Sequence, residues 1–144
     1  MTADLPRLSF HHGAASVPSL DAAISWYREV LGFQLESRFP IPKADAEAAM
    51  LVNGPLRIEL FEVAGAAPLP PGRDEPNLDV RTHGNKHIAF GIDNLDDFLG
   101  LMARKDADVA FVVRESFGKA CFLRDCAGNL LEFVEVAARE GDLP

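Results

Sequence analysis

Cations, cysteines and long apolar runs are all scarce in this chain. Lysines and arginines number 14 against 22 aspartates and glutamates, a formal net charge of -8 at pH 7, so no broad basic surface exists to neutralise nucleic-acid phosphates or an anionic membrane. That sets nucleic acid and membrane aside as partners and leaves a small molecule as the expected one. The two cysteines, Cys121 and Cys126, fall on what reads as one strand, with side chains leaving from opposite faces, and are expected to be reduced thiols. No stretch approaches the ~18 apolar residues of a membrane span, and the opening MTADLPRL has no cationic segment followed by an apolar one. A cytoplasmic location is the expectation. What is plentiful is ordinary core material, 48% hydrophobic residues in a chain of 144, which suits one compact domain.

The order of elements is read from hydrophobic periodicity and turn residues. Strand character runs from Ser9 to Val17; Ser19 then caps a helix whose apolar positions Leu20, Ala23, Ile24, Tyr27 and Leu31 follow helical spacing, and Gly32 ends it. Three strand-like runs follow, FQLESRF, AEAAMLV and LRIELFEV, with turns at Pro40 to Pro42 and at NGP. Residues 65–84 are proline-rich and aperiodic and read as a long ordered loop or linker. The pattern then restarts: KHIAFGI as a strand, Asn94 as a cap, a helix with Leu95, Phe98, Leu99 and Met102, and the strands VAFVVRE, KACFLRD and LLEFVEV. The predicted class is α+β, two tandem βαβββ modules, the first over about 8–64 and the second over about 85–137.

The halves superimpose by number. His12 and His87 stand 75 positions apart, as do Ser19 and Asn94, Leu20 and Leu95, and Ile24 and Leu99, while Glu59 and Glu132, and Glu62 and Glu135, stand 73 apart. Along KHIAFGI, His87 shares a face with the small residues Ala89 and Gly91 while Ile88, Phe90 and Ile92 take the other, so the bulky face should meet the helix and the histidine should border a cavity. His12 has the same setting, with Ala14 and Ser16, which distinguishes it from His11. Glu59 and Glu132 are carboxylates inside apolar terminal strands, where an unpaired charge costs several kcal/mol. A lone strand histidine is more often a core residue, and a lone glutamate more often solvated. Four in register point instead to a divalent metal, with two imidazoles and two carboxylates suiting Ni, Zn, Fe, Mn or Co.

The segments FHHGAASVPSLDAAISWYREVLGFQLE, RIELFE, NKHIAFGIDNLDDF and FLRDCAGNLLEFVE, from about Leu8 to Val136, resemble the signatures of the vicinal oxygen chelate superfamily of glyoxalase I, bleomycin and fosfomycin resistance proteins, methylmalonyl-CoA epimerase and extradiol dioxygenases. The resemblance implies that the modules form a curved mixed sheet around a metal-binding cleft, with His12, Glu59, His87 and Glu132 as ligands, and that the protein is a homodimer. It departs from the family where Cys126 replaces the usual proline after the aspartate. Ser16 stands where a glutathione-contacting arginine is often found, and Lys43 stands near the epimerase's glutamate base, with Asp45 and Glu47 as approximate substitutes.

The activity this implies is that of a metal-dependent lyase or isomerase of the glyoxalase type, acting on a small oxygenated substrate by proton transfer through a metal-stabilised enediolate, with Glu132 or Glu59 as the base. The alternatives are an Fe(II) extradiol-type dioxygenase using His12, His87 and Glu132, and a non-catalytic ligand-binding or resistance protein. The loop 65–84 is a candidate lid. His83 is read as a loop residue, Arg57 as paired with a carboxylate, Tyr27 as core and Cys121 as a buried inert thiol.

Overall fold

The computed structural model describes residues 4–137; residues 1–3, part of the N-terminal stretch read above for a leader, and 138–144 lie outside the described residues. The elements are β1 (Gly13–Ser16), α1 (Leu20–Leu31), β2 (Gln34–Ile41), β3 (Ala46–Asn53), β4 (Leu56–Val63), α2 (Pro76–Asp79), β5 (Ile88–Ile92), α3 (Leu95–Arg104), β6 (Asp108–Glu115), β7 (Gly118–Arg124) and β8 (Leu130–Glu135). They form two four-stranded sheets, ordered β1-β4-β3-β2 and β5-β8-β7-β6. In each, the first strand runs parallel to the last and the other pairings are antiparallel. This is the tandem βαβββ, α+β arrangement that the repeat predicts. Among the described residues no helix is long and apolar enough to cross a membrane.

The repeated residues do repeated physical jobs. At the start of α1 the Ser19 hydroxyl accepts from the Ala22 N–H, and at the start of α3 the Asn94 side-chain oxygen accepts from the Asp97 N–H. A second free N–H of each helix is met from the sheet: Leu20 donates to Glu62 and Leu95 to Glu135, both at 2.8 Å. Each carboxylate satisfies a helix N-terminus and places its charge at the positive end of the dipole. This explains why Glu62 and Glu135 recur at corresponding positions.

One hydrophobic core serves both modules, joining Leu20, Ile24 and Tyr27 of α1 to Leu95 and Met102 of α3 and to Ile58, Leu60, Leu123, Leu131 and Phe133 of the sheets. On β5, Ile88, Phe90 and Ile92 pack against it while Ala89 and Gly91 are exposed. The modules meet where β1 faces β5. A Cβ on Gly13 would stand 2.6 Å from the end of the Ile88 side chain, so any larger residue there would force Ile88 to move. Gly13 and Ile88 are equivalent positions of the repeat, so the approximate two-fold relating the modules passes between them.

The modules are further tied by the segment after β7. Asp125, 5% exposed, accepts from the Ala127 and Asn129 N–H groups, from the Asn129 side-chain amide and, at 2.8 Å, from the Tyr27 hydroxyl of α1. Asn129 also donates to the Ser16 carbonyl of β1 at 3.1 Å. Gly128 takes φ 88°, a left-handed value that the turn needs and that glycine adopts without strain. Burial, and then the Asp125 charge beside it, raise the Tyr27 hydroxyl well above the ordinary tyrosine pKa.

Four local expectations are corrected. The first strand begins at Gly13 rather than Ser9, and β5 at Ile88, because parallel pairing starts at Gly13 with Ile58 and at Ile88 with Leu131; His12 and His87 each stand one residue ahead of their strand. Pro40 lies inside β2 instead of in a turn, which the outermost place of β2 in its sheet permits since no ladder bond is lost on the open side. The 65–84 segment carries a one-turn helix, α2, with Pro76 in its first turn where no N–H is needed. Cys126 sits in the turn after β7, not on the strand, because the Asp125 to Asn129 hydrogen bonds close there; both thiols are free.

Replacing Tyr27 by Phe should lower urea-unfolding stability by about 1 kcal/mol, with Asp125→Ala costing more because it orphans several buried donors. Since the folded-state pKa of Tyr27 is raised, the stability it contributes is present below the unfolded tyrosine pKa of about 10 and is lost as pH climbs above it. Urea midpoints measured from pH 7 to 11 should therefore fall at the alkaline end, and fall less in Tyr27→Phe.

Candidate functional site

A cavity of about 820 Å³ lies where β1 and β5 meet, walled by both strands, by Leu56 and Arg57 of β4, by Leu130 and Leu131 of β8, and by Leu69, Arg73, Asn85 and Lys86 of the connecting segment. This is an ordinary size for a small-molecule site. His12 and His87 both line it.

Parallel pairing sets each histidine beside a carboxylate of its own module. Ala14 lies opposite Glu59 and Ala89 opposite Glu132, and a side chain two residues before each alanine leaves from the same face. His12 Nε2 is 3.4 Å from Glu59 Oε1, and His87 Nε2 is 3.8 Å from Glu132 Oε1. The four side chains are between 16% and 31% exposed, neither sealed in the core nor free on the surface. The structure thus forms two separate histidine–glutamate pairs, with the histidines in the cavity wall and the glutamates behind it. Among the described residues no three histidine, cysteine or acidic side chains stand close enough to hold one ion.

The pairs differ in what supports them. His11 Nδ1 is 2.7 Å from His12 Nδ1; with the proton on His12 Nδ1, that bond leaves Nε2 its lone pair, the arrangement a ligating imidazole needs. Sequence reasoning passed over His11, although two adjacent histidines ahead of a strand were a visible signal. His87 instead sets its ring edge-on to Phe122, centroids 5.0 Å apart. Cys121 is fully buried, and burial, with the Glu132 charge adding to it, pushes its thiol up to about 11.

Other candidates resolve plainly. Arg57 donates to both oxygens of Glu36 at 2.5 and 2.8 Å, the carboxylate pairing expected of it. His83 lies exposed in the connecting segment and outside the cavity wall. Glu47 accepts from Arg38 at 2.8 Å, and Arg38 in turn bonds Asp21 of α1; Glu47 therefore belongs to the helix side of the sheet. Asp45 is exposed at the end of a 3-10 turn, so neither supplies a carboxylate to the cavity wall.

Residues 9–133 match the family model of the Glyoxalase/Bleomycin resistance protein/Dioxygenase superfamily. The chain belongs to this superfamily. Its similar relatives include the mitochondrial methylmalonyl-CoA epimerases of Homo sapiens, 28% identical with 92% of this chain and 75% of that protein covered, and of Mus musculus, 30% identical with 87% and 71% covered. A glyoxalase family protein of Enterococcus faecalis shares the superfamily fold at a TM-score of 0.73, with 22% identity and coverage of 88% of this chain and 97% of that one.

Burial, and then the Asp125 charge, raise the Cys126 thiol as well, so access separates the two: Cys126 is exposed and Cys121 buried. Iodoacetamide at pH 8 should modify exposed Cys126 and leave buried Cys121 unmodified until the protein is unfolded, as read by peptide mass spectrometry.

Proposed function

We propose that this superfamily member is an enzyme that moves a proton on a small oxygenated substrate, an isomerase or lyase of the glyoxalase type that uses one divalent metal ion. The observation that carries the reading is that His12 and His87 line one cavity, on either side of the approximate two-fold between Gly13 and Ile88, each backed by a glutamate of its own module. His12, Glu59, His87 and Glu132 would hold the ion. The donor set fits: two imidazole nitrogens and two carboxylates offset a divalent charge, and their partial exposure lets the side chains turn from each other toward the cavity. A bound divalent ion supplies a Lewis-acidic centre that stabilises negative charge on substrate oxygens.

The remaining chemistry belongs to the chain. Glu59 and Glu132 come from opposite modules, so one carboxylate is available to accept a proton from a substrate carbon and the other to return it. Phe10, Leu56, Leu69, Phe90 and Leu131 give the cavity an apolar wall against which the carbon skeleton of a substrate would pack. Kinship with methylmalonyl-CoA epimerases supports isomerisation, because inverting a centre beside a carbonyl requires removal and return of one proton. The reading includes a homodimer in the cytoplasm with a complete site in each chain; the exposed Val109, Phe111 and Val112 on β6 are apolar surface a second chain would cover.

Protein purified without added metal should carry one divalent ion per chain by elemental analysis, and should keep it when diluted to monomer in sedimentation; loss of metal on dissociation would move the site between chains. His87→Ala should reduce metal affinity at least about tenfold, because a ligand is lost and two carboxylates remain under-compensated. Reconstitution with Ni, Zn, Mn or anaerobic Fe(II) should support exchange of a substrate C–H proton with solvent on acyl-CoA or hemithioacetal substrates. Abolition of that exchange in Glu59→Ala is expected. Turnover of catechols with oxygen uptake under Fe(II) alone, retained in that variant, would establish the dioxygenase instead.

A further inference from the structure

The chain carries a net charge of -8, yet every fully charged side chain in the cavity wall is a cation: Arg57, Arg73 and Lys86, with no aspartate or glutamate among the wall residues. Carboxylates stand directly behind that wall, Glu59 and Glu132 against the wall histidines among them, so what an entering group meets depends on which cation keeps an unbalanced charge. Among the three, Lys86 alone has no donors to spare. Arg57 meets both oxygens of Glu36 through its Nη1, one cation against one anion, so it brings no net charge to the wall even though its Nε and Nη2 hydrogens have no protein acceptor among the described residues. Lys86 gives its three N–H groups to the Asp79 carbonyl at 2.6 Å, the Asp79 carboxylate at 3.4 Å and the Thr82 carbonyl.

Arg73 differs. Its Nε donates to Asp79 Oδ1 at 2.5 Å and its Nη2 to the Asn85 carbonyl at 3.3 Å, which leaves both hydrogens of Nη1 and one of Nη2 without a protein acceptor among the described residues. Asp79 is 2% exposed and serves two cations, so the cluster keeps one positive charge in excess. A carboxylate that deeply buried fixes the guanidinium plane before any ligand arrives. Arg124 anchors the same segment from below, donating to the Asp74 carbonyl and to Glu75, each at 2.8 Å.

We infer that Arg73 is the specificity residue of the cleft, binding an anionic oxygen group of the substrate, a carboxylate or a phosphate ester, with Asp79 as the residue that positions it. This rests on the cavity being the substrate site and deepens that reading by assigning the substrate's charge. Arg73 plays no part in holding metal, so the two ideas separate by experiment.

Binding of succinate and of inorganic phosphate to the metal-loaded full chain is measured by calorimetry, with succinamide as the uncharged control, for wild type, Arg73→Gln, Arg73→Lys and His87→Ala. Removing a charge-assisted bidentate donor should weaken anion binding by roughly tenfold or more in Arg73→Gln, with an intermediate loss in Arg73→Lys and an unchanged metal content. His87→Ala should lose metal and retain anion binding. Preference for succinate assigns a carboxylate, and preference for phosphate assigns a phosphate ester. Because Arg73→Gln leaves Asp79 with one cation fewer, the wild-type Arg73 Nε–Hε resonance is also followed during each titration, and it should shift with the anion that binds. No anion binding by wild type, equal binding of succinamide, an unmoved Arg73 resonance, or binding lost in His87→Ala but intact in Arg73→Gln would overturn the inference.

Discussion

A buried carboxylate with no cationic partner among the described residues ties the two halves of this molecule together. Asp125 is satisfied wholly by neutral donors: two backbone N–H groups and the side chain of its own turn, and the Tyr27 hydroxyl from the opposite module. Such a group is costly to bury and more costly to break, because each lost donor leaves charge uncompensated in a low-dielectric interior. The arrangement is directional where hydrophobic packing is not. It fixes the end of β7 and the start of β8 against α1, and through the Asn129 bond to Ser16 it fixes β8 against β1 as well. The same turn brings Asn129 and Leu130 into the cavity wall.

The duplication was legible in the sequence because periodicity and spacing are local. Ser19 and Asn94, and Glu62 and Glu135, repeat because each helix start needs the same two acceptors. β4 has the bounds its hydrophobic run predicts. The sequence reads His12, Glu59, His87 and Glu132 as one ligand set; the strand register explains why each histidine meets the glutamate of its own module, while how the two pairs stand to each other has no signature in the spacing.

What escaped the sequence depends on contacts between distant segments. Tyr27 reads as a core residue from its helical spacing, and it is one, but its hydroxyl bond to Asp125 joins residues 98 positions apart and has no periodic signature. Asp79 and Arg73 sit in a segment whose prolines and glycines read as aperiodic linker. Only the fold shows that Asp79 is buried and that the segment walls the cavity. The Pro76 that starts α2 was equally compatible with a plain turn, since one helical turn is too short to show a period.

A two-fold duplicated site presents a chemical difficulty: two equivalent carboxylates have no reason to take different roles, while returning a proton to the other face of a carbon requires one to give and one to take. The asymmetry comes from outside the repeat's matching residues. His11, which supports His12 through its Nδ1, corresponds in the repeat to Lys86, which turns away from His87 to bind Asp79 and Thr82. Opposite Glu59 on the neighbouring strand stands Met50, and opposite Glu132 stands Phe122, whose ring also meets His87. The connecting segment has no counterpart in the duplication at all, and it contributes Arg73 to one part of the cavity wall. Under the proposed function, an anion held at Arg73 would enter the cavity in one orientation, and that orientation would decide which of Glu59 and Glu132 acts on the reacting carbon.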